Sequence, residues 1–60
     1  MKIKKFDVVE LNDKNKAVIL EIYNRKKYYA EVVNDKGKTI DKKEIRDWQI
    51  NKVIYRKNKR

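Results

Sequence analysis

The run AVILEIYNRKKYYAEVV, residues 17–33, constrains this chain more than any other stretch. Val, Ile, Leu and Tyr dominate both halves, and the polar break Asn24-Arg25-Lys26 is too short for anything but a turn. The run reads as a β-hairpin against which the remaining strands pair. If Asn24 to Lys26 form a three-residue loop, Tyr23 faces Lys27, Ile22 faces Tyr28, Leu20 faces Ala30 and Val18 faces Val32. One face then carries Val18, Leu20, Ile22, Tyr28, Ala30 and Val32. The outer face carries Ile19, Glu21, Tyr23, Lys27, Tyr29 and Glu31. A slip of one residue would set Glu31 opposite Leu20 in the core, which favours this register.

The flanking segments supply further strands. Phe6 to Leu11 is the first, although its apolar residues do not alternate: Phe6 and Val8 share one parity, Val9 and Leu11 the other. A bulge or strong coiling reconciles them, with Phe6 assigned to the core. Asn12-Asp13-Lys14-Asn15 and Asn34-Asp35-Lys36-Gly37 share the chemistry of a type I turn closed by a residue with positive φ. Gly37, the sole glycine, is expected to be left-handed. Lys38 to Ile45 continues as a fourth strand with Ile40 inward. Asp41-Lys42-Lys43-Glu44 resembles a capping box, so a helix competes here. On a helical wheel of about 100° per residue, however, Ile45, Trp48, Ile50, Val53, Ile54 and Tyr55 scatter round the circle. The preferred parse ends a strand near Arg46, lets Asp47 cap a single turn Trp48-Gln49-Ile50, and runs a last strand from Lys52 to Arg56. Trp48 then covers the core. The alternative is a three- or four-stranded antiparallel sheet with a C-terminal helix.

Size and composition exclude several function classes. Sixty residues make one domain, here 1–60 with 57–60 as a basic flexible tail; a chain of this length buries only about 60% of its unfolded surface. Without Cys or His there are no disulfides, usual zinc ligands, thiol nucleophiles or imidazole bases. There is no serine, Thr39 lacks an evident base, and one glycine cannot build a phosphate loop. The carboxylates read as solvated charge on strand faces and loops, with no pair marked as acid and base. No catalytic residue, metal, cofactor or small-molecule substrate is therefore expected. The AVIL run is too short for a membrane span, and no apolar h-region follows the basic start Met1-Lys2-Ile3-Lys4-Lys5. A soluble cytoplasmic protein is expected. Lys and Arg number 18 against 9 acids, a net charge of +9, and residues 52–60 hold Lys52, Arg56, Lys57, Lys59 and Arg60 without an acid.

Five short strands, tight polar turns and one helical turn before the last strand describe an all-β, five-stranded SH3-like barrel with a cationic exterior. Most of the chain resembles the small bacterial SH3-like domains, many of unknown function. The resemblance runs through Phe6–Leu11, Ala17–Ile22, Tyr29–Val32 and Asp35–Thr39. KOW domains are similar in strand order, but they carry glycine around the start of the second strand, where this chain has Lys16-Ala17. The resemblance implies a fold and carries over no catalytic residue.

Two functions follow as expectations. The first is a module binding nucleic acid or a ribonucleoprotein surface with little sequence specificity, using Tyr23, Arg25, Lys27 and Tyr29 on the hairpin with Arg56, Lys57, Lys59 and Arg60 in the tail. Exposed aromatics stack on bases while cations neutralise phosphates. The second is a protein-interaction or inhibitory module, of phage or mobile-element type, docking an acidic protein surface through the Ile19, Tyr23 and Tyr29 face or an open sheet edge.

Overall fold

A computed structural model describes residues 2–55, with the backbone alone at Tyr55. Five strands form one antiparallel sheet: β1 (Val8–Leu11), β2 (Lys16–Asn24), β3 (Lys27–Val33), β4 (Thr39–Arg46) and β5 (Ile50–Tyr55). A single 3-10 turn, η1 (Asp47–Gln49), precedes β5. Strand order is β4-β3-β2-β1-β5, so the first strand lies inside the sheet and the last returns to pair with it. This is the expected all-β architecture of five strands with one helical turn before the last, and it is compatible with a small barrel. Among the described residues no helix is long and apolar enough to cross a membrane.

The core comprises Val9, Leu11, Ala17, Ile19, Tyr28, Ala30, Val32, Ile45 and Ile50, with Ile3, Ile22 and Val53 packed against it. Among the described residues, no buried side-chain nitrogen or oxygen lacks a partner. β3 alternates as its sequence demands, with Tyr28, Ala30 and Val32 inward. β2 does not. Asn24 pairs with Lys27, Ile22 with Tyr28, Ile19 with Ala30 and Ala17 with Val32, with register shifts between Ile22 and Asn24 and between Ile19 and Glu21.

The turn is therefore the two residues Arg25-Lys26, and the expected register survives only at Ile22↔Tyr28 and Glu21↔Tyr29. Beyond the bulge at Leu20 the faces exchange. Ile19, expected outside, is fully buried, while Val18 and Leu20 are only half-buried. Curvature explains the correction. β2 carries two register shifts against β3, and each bulge bends the strand at the cost of one residue of parity. β1 then fixes which parity is inward, because Val9 lies opposite Ala17.

Four further expectations are corrected. Phe6 is half-exposed at φ 71°, outside β1, and Asp7 is buried in its place. The Asp7 Oδ2 accepts from the Lys4 N–H (2.9 Å) and the Asp7 N–H donates to the Lys4 carbonyl (3.1 Å), a turn that swings the Phe6 ring outward. Ile40 is exposed because the shift between Val32↔Asp41 and Val33↔Thr39 leaves it as the unpaired bulge residue. Trp48 is 72% exposed, and Ile50 fills the core position beside it. Gln49, not Asp47, closes the turn: its Oε1 accepts from the Arg46 N–H at 2.8 Å. Gly37 is left-handed as expected, at φ 81°.

Candidate nucleic-acid interface

The site is built on the β2–β3 turn. Asn24 Oδ1 accepts from the Lys26 N–H (2.8 Å), the Tyr28 hydroxyl donates to the Arg25 carbonyl (2.6 Å), and the Asp47 N–H donates to the Lys26 carbonyl (3.0 Å). Each bond uses a backbone atom of Arg25 or Lys26, so the turn is held while both cationic side chains project. Burial pushes the Tyr28 phenol above 10.0, and the negative charge of Asp47 adds to the shift. At neutral pH the hydroxyl therefore keeps the proton it donates.

The N-terminal segment runs beside the far half of β2, tied there by the Phe6 N–H donating to the Ile19 carbonyl at 2.7 Å. Between this segment and the turn lies an open groove. Ile3, Ile22 and Tyr28 form its apolar floor, and Lys2, Arg25 and Lys26 stand on its rim against one carboxylate, Asp47. Among the described residues neither Arg25 nor Lys26 joins an ion pair. Lys27 does, at 3.5 Å from Glu44, as do Lys5 with Glu21 (3.7 Å) and Lys52 with Glu10 (4.0 Å).

The expected site residues separate accordingly. Tyr23 is 52% exposed and is not among the residues lining the groove; the Lys27 ammonium lies 5.6 Å from its ring centroid. Arg25 stands on the rim. Tyr29 is half-buried and lies opposite Glu21 on β2 and Glu44 on β4, an acidic setting. Arg56, Lys57, Lys59 and Arg60 lie outside the described residues. Ile19, assigned to a docking face, is fully buried and offers no surface.

The outer sheet face is not uniformly cationic. Glu10, Glu21, Glu31 and Glu44 are interleaved with Lys16, Lys27 and Lys42 through cross-strand pairing. Sequence reasoning missed Lys2, Ile3, Ile22 and Lys26 as one site. The signal was the basic start Met1-Lys2-Ile3-Lys4-Lys5, read only as a targeting question. Among the described residues no group of three or more His, Cys, Asp or Glu could hold a metal ion.

The arrangement suits an anion whose uncharged part rests on the apolar floor. Compared with protein-family models, curated proteins and solved structures, the chain matches none of them.

Proposed function

We propose that this chain is an SH3-like barrel of the small bacterial, cytoplasmic kind that binds nucleic acid without catalysing a reaction on it. One observation carries the reading: Lys2, Arg25 and Lys26 surround a groove whose apolar lining is Ile3, Ile22 and Tyr28. Cations at that spacing neutralise neighbouring phosphates, and counterion release supplies affinity without sequence preference. The tail cations Arg56, Lys57, Lys59 and Arg60 add to the same attraction. Titration of the full chain against duplex DNA and structured RNA at two salt concentrations is the test. Binding should weaken steeply as salt rises, and no binding to either at low salt rejects the reading.

A second reading, docking on an acidic protein surface, is favoured by Trp48, 72% exposed beside Arg46. Tryptophan and arginine dominate the energetics of protein interfaces. Partner capture that survives nuclease treatment and is lost in Trp48→Ala would select it over nucleic acid.

A further inference from the structure

Among nucleic acids, we infer that the ligand is a single strand, with an unpaired base lying over Ile3, Ile22 and Tyr28 or stacked on Tyr23. This rests on the nucleic-acid reading above and adds which form is bound. Two observations support it independently. The first is the groove itself. A duplex offers phosphates but keeps its base faces stacked inside, so an apolar floor ringed by cations matches only a strand whose bases are free to turn in. Outside the groove's lining, Phe6 and Tyr23 are each half-exposed, each with a lysine ammonium within 6 Å of its ring (Lys5 at 5.7 Å, Lys27 at 5.6 Å), and offer further aromatic faces. Phe6 is held at φ 71°, a conformation costly for a bulky side chain, and exposes its ring nonetheless.

The second observation is the broad face of the sheet, the surface a duplex would need. There Glu10, Glu31 and Glu44 alternate with the lysines, and Lys27 and Lys52 are paired with carboxylates. Two parallel rows of phosphate would meet these carboxylates. A single backbone crossing the rim of the groove meets Lys2, Arg25 and Lys26, and among the described residues lining it Asp47 is the one carboxylate.

The experiment is a fluorescence-anisotropy titration of the full chain with a labelled twelve-nucleotide dT strand, the corresponding rU strand, and a twelve-base-pair duplex. At low salt the single strands should bind about tenfold or more tighter than the duplex, since base–aromatic stacking is absent from the latter. The double change Arg25→Glu with Lys26→Glu should abolish single-strand binding. It should also fold, because those residues stabilise the turn through backbone atoms alone. Lys36→Glu with Lys38→Glu, the same change of charge at the opposite end of β3, should lower affinity several-fold less. Tyr23→Ala should weaken the single strands about tenfold and leave weak duplex binding unchanged. Equal or tighter duplex binding overturns the single-strand inference while the nucleic-acid reading stands. An equal loss from the Lys36/Lys38 pair overturns the groove as the site. Failure of all three probes to bind removes both.

Discussion

Lys14 and Gly37 occupy the same point of two equivalent turns. In one, the Lys14 N–H donates to the Leu11 carbonyl (3.0 Å) and the Leu11 N–H to the Asn15 carbonyl (2.8 Å). In the other, Gly37 donates to Asn34 and Asn34 to Lys38, both at 3.0 Å. Their φ values are 77° and 81°. Only glycine adopts this conformation without strain, so Lys14→Gly should stabilise the protein by about 1 kcal/mol, measured by urea denaturation. Gly37→Ala should cost about 1–2 kcal/mol. That cost is conformational, since an added Cβ would meet nothing within 4 Å. The sequence pattern aligned Asn12 with Asn34, whereas Leu11 takes that place. The turn was legible and its frame was not, because Leu11 both opens the turn and fills the core. Tyr28 gives a second prediction at this scale. A phenol whose pKa is raised on folding contributes stability that is complete below pH 10 and lost as pH climbs through the folded value. Tyr28→Phe should flatten the fall in melting temperature above pH 10. At neutral pH it should cost about 1 kcal/mol for the lost bond to Arg25.

For the strands, β2 makes the sharpest claim. If the bulges place Ile19 inward, Ile19→Ala should cost roughly 2–5 kcal/mol, enough to unfold most molecules of a domain this small. Leu20→Ala, at a half-buried bulge position, should cost well under half as much. The opposite ranking by thermal melts would restore the unbulged hairpin. Strand number, the helical turn and the alternation of β3 were readable because each rests on local composition and period. The parity of β2 was not, because it is decided by β1, whose Val9 must share a face with Ala17. Trp48 escaped for a related reason: a turn of three residues leaves room for one large side chain at its end, and Ile50 holds that place at 6% exposure.

Across the whole molecule, charge balance was readable from composition but its placement was not. Which lysines are neutralised follows from cross-strand neighbours, and those follow from the bulged register. The groove likewise joins residues 2–3 to residues 22–28, a proximity that appears only once the start of the chain lies beside β2. The same topology governs how the protein comes into being. β1 is made first yet lies between β2 and β5, and Val9 finds Val53 only near the end of the chain. Such distant pairings slow folding into the millisecond-to-second range, roughly what a stopped-flow refolding trace should show. A nascent chain halted before Ile50 would leave Leu11 and Val9 covered by β2 but not by β5, so a fragment ending at Gln49 should show no cooperative melt by circular dichroism. Translation must deliver the chain through β5 before any of the fold becomes secure.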